Sequence, residues 1–224
     1  MELIHILDIA GTFAFAVSGA FRAVKYEMDI LGIAVLAMAT GVGGGMLRDL
    51  LLGATPPAAL TDTSYILICL GGAAVVFFAA PKIARRWDYL MAADAVGLSV
   101  FTAIGALKAE AYGAVPLTIA MMAMMTACGG GVIRDLLSRE IPAILTTGFY
   151  ASTALLGGFM FIVLGTFEMS EGLRVFLTIG FTLLTRVAAL KFKIHLPRVK
   201  SLHASPSEIA RAHRERTKKN KRRG

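Results

Sequence analysis

The chain has 224 residues, 56% of them hydrophobic and 17% charged, with a mean hydropathy of +0.69. Soluble domains carry about 45–50% apolar and about 25% charged residues, so the composition excludes an ordinary soluble domain and points to a bilayer. The formal charge of +8 belongs to one end: residues 191–224 hold twelve Lys/Arg against Glu208 and Glu215, a local +10, and all earlier residues sum to −2.

Apolar runs predict seven spans, at 4–24, 29–52, 64–81, 91–110, 115–138, 146–167 and 172–192. Each is close to the roughly 20 residues that a crossing helix needs. The start, Met-Glu-Leu-Ile-His, lacks a basic n-region, so no cleavable signal peptide is expected and the first span stays. The basic segment Lys82–Asp88 separates the third and fourth spans. A polar tail, 193–224, follows the seventh, with a short helix expected over Pro206–Arg216 and a disordered end.

Cytoplasmic loops are enriched in Lys and Arg. With the tail inside, the inner loops carry Arg22, Lys25, Lys82, Arg85, Arg86 and Arg139, and the outer loops hold only Lys108 and Arg174. The N-terminus is therefore expected outside and the C-terminus in the cytoplasm, in the inner membrane. The tail would meet anionic lipid headgroups; without interleaved aromatics, it does not read as a nucleic-acid binder.

At a constant offset of 86, Asp8 falls on Asp94, Phe15 on Phe101, Gly19 on Gly105, Gly43 on Gly129, Arg48 on Arg134, Asp49 on Asp135 and Pro56 on Pro142. The chain is thus a duplication, repeat one at 4–81 and repeat two at 91–167, with 172–192 an unrepeated addition. Three spans per repeat is an odd number, so the second repeat is expected upside down, with a functional site near the midplane on the pseudo-two-fold.

The densest identity is Thr40-x-x-Gly43-Gly44-Gly45-x-x-Arg48-Asp49, returning as Thr126-x-x-Gly129-Gly130-Gly131-x-x-Arg134-Asp135. Each glycine in a helix costs about 1 kcal/mol relative to alanine, and ionisable groups at membrane depth cost more. Three in a row predict a break or kink in the second and fifth spans, with freed backbone facing a cavity. Gly11, Gly19, Gly71 and Gly72 read instead as close helix packing. Adjacent residues on a helix point about 100° apart, so Arg48 and Asp49 are not expected to meet. Depth predicts Asp8–Arg48 and Asp94–Arg134 contacts, leaving Asp49 and Asp135 to line a path. A purely structural ion-pair role is the competing reading. Thr40 and Thr126 could offer hydroxyls to a permeating ion or bond back within their own helices. Pro56 and Pro142 are expected to stop the second and fifth helices.

Catalysis finds no support. The glycine block lacks the Lys-Ser/Thr and the preceding strand of a phosphate loop. His5, His195, His203 and His213 make no metal spacing, and Cys69 and Cys128 read as small packers. No cofactor is expected.

The doubled Gly-Gly-Gly-x-x-Arg-Asp block, preceded by Leu7-Asp8-x-x-Gly11-Thr12-x-x-Phe15-Ala16-x-x-Gly19, resembles the prokaryotic trimeric intracellular cation channels over about 1–192. The resemblance implies an all-α membrane protein with two inverted three-helix repeats plus a seventh helix. It further implies a homotrimer with a pore in each protomer, and passive permeation by monovalent cations, chiefly K⁺, with Na⁺ as the other candidate. In that family the glycine triplets bend the second and fifth helices, here at Gly43–Gly45 and Gly129–Gly131. The Lys-Glu-Val element of eukaryotic relatives is not found, so their lipid regulation does not carry over. The same domain has been labelled a glycine-transporter-like module, which keeps a small-solute carrier as the alternative. A scaffold built on close glycine packing is the third reading.

Overall fold

The structure is a computed structural model that describes residues 2–83, 88–146, 149–167, 169–192 and 194. The expected basic tail, its helix over Pro206–Arg216 and the centre of the Lys82–Asp88 loop lie outside the described residues. The described chain is helical throughout: α1 Glu2–Lys25, α2 Ile30–Leu51, α3 Ala58–Thr61, α4 Ser64–Ile83, α5 Asp88–Ala111, α6 Pro116–Leu137, α7 Ala143–Thr146, α8 Ala151–Leu164 and α9 Glu171–Lys191.

Local signals place these helices. The Asp29 carboxylate accepts from Gly32 N at 2.7 Å and caps α2. Pro116 sits at the first position of α6, where its missing N–H costs nothing. The stops are not the prolines. Gly53 (φ 71°) and Arg139 (φ 57°) take left-handed conformations just past α2 and α6, and Ala54 N and Glu140 N return to the Asp49 and Asp135 carbonyls. These two residues are 86 apart. So are Glu27 (φ 54°) and Gly113 (φ 73°), the corresponding turns after α1 and α5. Each repeat thus keeps the turn, with glycine in one copy and a side chain in the other.

Among the described residues, five helices are long and apolar enough to cross a membrane: α1, α2, α5, α6 and α9. The described apolar parts of α4 and α8 are shorter, Ser64–Ala79 and Ala151–Leu164. The sixth span expected at 146–167 is therefore trimmed at its start, where α7 takes 143–146 and α8 begins at Ala151. The result is an all-helical membrane fold.

The expected break at the glycines is absent. α2 and α6 are each a continuous helix through their triplets. The glycines instead let the two helices cross at backbone contact. A Cβ on Gly44 would collide with the Thr126 carbonyl oxygen, and one on Gly130 with the Thr40 carbonyl oxygen. A Cβ on Gly129 would sit 3.1 Å from the Gly44 Cα. Gly19 and Gly105 likewise receive the Thr40 and Thr126 side chains. Gly71 has nothing within 4 Å among the described residues, so no close packing is made there within the described chain.

Ala16, Ala20, Ile33, Leu36, Ala37, Cys69 and Val76 form the core of α1, α2 and α4. Ala103, Ala106, Ile119, Met122, Ala123, Phe161 and Val175 form that of α5, α6, α8 and α9. A third cluster, including Phe15, Leu98, Phe101, Ala127 and Tyr150, joins the halves where α1 packs on α5.

Candidate functional site

Two charged clusters lie at opposite ends of the α2–α6 crossing. In the first, the Arg48 Nε donates to Asp49 at 2.8 Å, and Asp8 lies 3.8 Å from the same guanidinium. The Tyr65 hydroxyl donates to Asp8 at 2.7 Å. In the second, the Arg134 Nε donates to Asp135 at 2.9 Å, its Nη1 lies 2.5 Å from Asp94, and the Tyr150 hydroxyl is 3.3 Å from Asp94. Arg134 also donates to Ser18 at 2.5 Å. Each cluster therefore contains the expected Asp–Arg contact. The expectation that neighbouring Arg and Asp do not meet is overturned: a long guanidinium stem curls back to the carboxylate that follows it. The halves also differ in what grips the first aspartate. Tyrosine is closer in one, arginine in the other.

Asp49 and Asp135 are each 1% exposed and fully engaged. The Asp49 Oδ1 accepts from Arg48 and from Lys108 at 2.7 Å, and its Oδ2 accepts from Ala58 N at the start of α3. The Asp135 Oδ1 accepts from Arg134 and pairs with Arg22 at 3.1 Å, and its Oδ2 accepts from Ala143 N at the start of α7. Arg22 and Lys108 are 86 apart, so these are one interaction made twice, each reaching from one repeat to the other. Arg22 and Lys25 also pair with Glu140, which the Tyr26 hydroxyl joins. Burying these two charges is tolerated because each oxygen of Asp49 and Asp135 has a cation or an N–H against it.

These pairs fix helix direction. Asp8, early in α1, meets the end of α2, which Lys108 at the end of α5 also reaches. Asp94, early in α5, meets the end of α6, which Arg22 at the end of α1 also reaches. Hence α1 and α5 run in opposite directions.

Phe15 and Phe101 stack with centroids 5.4 Å apart, and beside them lies the Gly44–Gly130 crossing. Thr40 and Thr126 are fully buried, and each hydroxyl donates 2.6 Å to the carbonyl four residues back, Leu36 and Met122. They bond within their helices and are not turned to a lumen. A small cavity remains in the first half, lined by Asp8, Thr12, Gly45, Arg48, Asp49 and Tyr65 among others, with space for about one water. The Arg48 Nη1 is buried with no hydrogen-bond partner among the described residues.

Sequence reasoning missed the inter-repeat role of Arg22 and Lys108, although both are basic and 86 apart, which is a readable signal. It also missed Tyr65 and Tyr150, whose spacing of 85 puts them one residue out of the repeat register. Arg186, buried on the unrepeated α9, has no repeat signal at all.

The model of the family described as Glycine transporter matches residues 5–81 and 91–166, the two repeats. The UPF0126 membrane protein of Vibrio cholerae is 37% identical over 197 residues, 88% of this chain and 82% of the relative. The UPF0126 inner membrane protein YadS of Escherichia coli is 38% identical over 198 residues, 87% of this chain and 95% of the relative. The crystal structure of the TRIC trimeric intracellular cation channel orthologue from Rhodobacter sphaeroides matches with a TM-score of 0.82 at 40% identity, over 87% of this chain and 100% of that one. Both repeats match, and the likeness spans nearly the whole membrane part: the chain belongs to the UPF0126 family, whose model is described as Glycine transporter and whose fold is that of the prokaryotic TRIC channels.

Proposed function

We propose that the chain is a passive channel for monovalent cations, chiefly K⁺ with Na⁺ as the other candidate, with one pore in each protomer of a homotrimer. The observation that carries this reading is the 40% identity and TM-score of 0.82 to the Rhodobacter sphaeroides TRIC orthologue. The proposed membrane unit is 1–192: seven spans, with repeat two inverted relative to repeat one, as the opposed directions of α1 and α5 support. The N-terminus lies outside, and the tail 193–224 lies in the cytoplasm against anionic headgroups. The reading requires no cofactor and no chemical step.

The geometry supports a closed state. An ion path would run from the Asp8–Arg48–Asp49 cluster to the Asp94–Arg134–Asp135 cluster, past the glycine blocks. The stacked Phe15 and Phe101 rings form an apolar constriction of the kind that stops ions by excluding water. Opening would separate α2 from α6 at Gly43–Gly45 and Gly129–Gly131, lifting Ile133 off Gly43 and Leu47 off Gly129. Withdrawal of Lys108 and Arg22 would then leave Asp49 and Asp135 to supply a negative field, tempered by Arg48 and Arg134. Thr40 and Thr126 would offer hydroxyls only if they left their helix carbonyls.

The second reading is a small-solute carrier, favoured by the family model's description and by the matched inter-repeat pairs at opposite ends, which suit one repeat rocking against the other. Purified protein in a planar bilayer separates the two. Unitary K⁺ currents are expected. Silence in the bilayer, with saturable glycine counterflow in liposomes, would overturn the channel reading in favour of the carrier.

A further inference from the structure

The repeat makes the two clusters near copies, and one difference lies over the last glycine of each triplet. Over Gly45 the nearest atom to a built Cβ is an Arg48 nitrogen at 3.7 Å, and the cavity lies there. Over Gly131, its counterpart, the Tyr150 hydroxyl stands 2.6 Å from that point, and Tyr150 is 1% exposed. One element touches Tyr150 that has no equivalent in the first half. Arg186 of α9, itself 1% exposed, lies with its guanidinium 4.6 Å from the Tyr150 ring centroid and donates to the Phe149 carbonyl at 3.2 Å. A buried cation over an aromatic face adds cohesion, because little water competes for it. The Phe149 carbonyl also accepts from Thr153, so Arg186 binds backbone already tied into the start of α8.

We propose that Arg186 is a latch: the unrepeated helix holds Tyr150 over Gly131, filling the place that stays a cavity over Gly45 in the first half and so shutting the Asp94–Arg134 end. Arg186 is a positioning residue, acting through Tyr150. The consequence for ion flux rests on the channel reading; the closure of the cavity does not.

The chain carries its own reporter. Cys128 is a buried free thiol in the same cluster as Tyr150, and its repeat counterpart is Val42, which lines the first cavity. In a Cys69→Ala background, a small water-soluble methanethiosulfonate would be timed against Cys128, and in a separate Cys128→Ala, Val42→Cys chain against position 42. Arg186→Met is expected to speed labelling of Cys128 by about tenfold and to leave the Val42→Cys rate unchanged. Arg186→Lys, which keeps a cation able to reach the Phe149 carbonyl, is expected to restore most of the protection. An unchanged Cys128 rate overturns the latch. So does equal acceleration at both positions, which would mean general loosening. K⁺ flux in liposomes is read in parallel. If Cys128 alone opens but no preparation, wild type included, conducts K⁺, the latch stands and the channel reading falls.

Discussion

Phe15 and Phe101 occupy equivalent positions in the two repeats and stack against each other, their planes 21° from parallel. Residues related by a pseudo-two-fold can meet only on its axis, so this pair marks the axis, and the Gly44–Gly130 crossing lies beside it. Removing one ring should loosen the constriction. Phe101→Ala is expected to raise K⁺ leak through reconstituted liposomes and to cost about 3 kcal/mol of stability, in line with Phe-to-Ala changes in cores. A fluorescent K⁺ efflux assay with a thermal melt in detergent checks both.

The glycines divide into two classes by what an added methyl would meet. Gly44→Ala and Gly130→Ala drive a Cβ into a carbonyl of the opposite helix and should each cost about 1–3 kcal/mol or more. Gly71→Ala and Gly180→Ala meet nothing within 4 Å. They should be neutral or stabilising by up to about 1 kcal/mol, as alanine is the better helix former. Melting temperatures of the four variants would separate the classes, and equal shifts would refute the crossing geometry.

The two inter-repeat ion pairs are equivalent in sequence but unequal in setting. The Arg22 side chain is 5% exposed and the Lys108 side chain 26%. Removing one partner of a buried pair leaves an uncompensated charge at about 3–5 kcal/mol, whereas water relieves part of that at Lys108. Arg22→Met is therefore expected to lower the melting temperature more than Lys108→Met. A double-mutant cycle of Lys108→Met with Asp49→Asn should show a positive coupling energy; additive losses would mean the contact contributes little.

The turns after α2 and α6 offer an exchange. Arg139 holds a left-handed conformation that costs a side-chain-bearing residue about 1–2 kcal/mol, while Gly53 takes the same turn freely. Arg139→Gly should stabilise by a few tenths to about 1 kcal/mol after its greater unfolded entropy is set against the relieved strain. Gly53→Ala should destabilise by a similar amount. Detergent melts of the two variants test the sign of each.

The sequence by itself determined the membrane class, the duplication and its 86-residue register, and the pairing of Asp8 with Arg48 and of Asp94 with Arg134. Those follow from composition, periodicity and depth, which are local or additive properties of the chain. Only the tertiary structure decided what the glycine triplets do. Three glycines in a row predict a break or kink but also leave a bare helix face, and the approach of a second helix chose the face. It also decided that Asp49 and Asp135 are held by Lys108 and Arg22, since the reach of a lysine or arginine across to another repeat depends on how α1 and α5 lie against α2 and α6. The asymmetry at Tyr150 was beyond sequence for a plain reason: Arg186 sits on a helix that has no copy, so no internal comparison could reveal its partner.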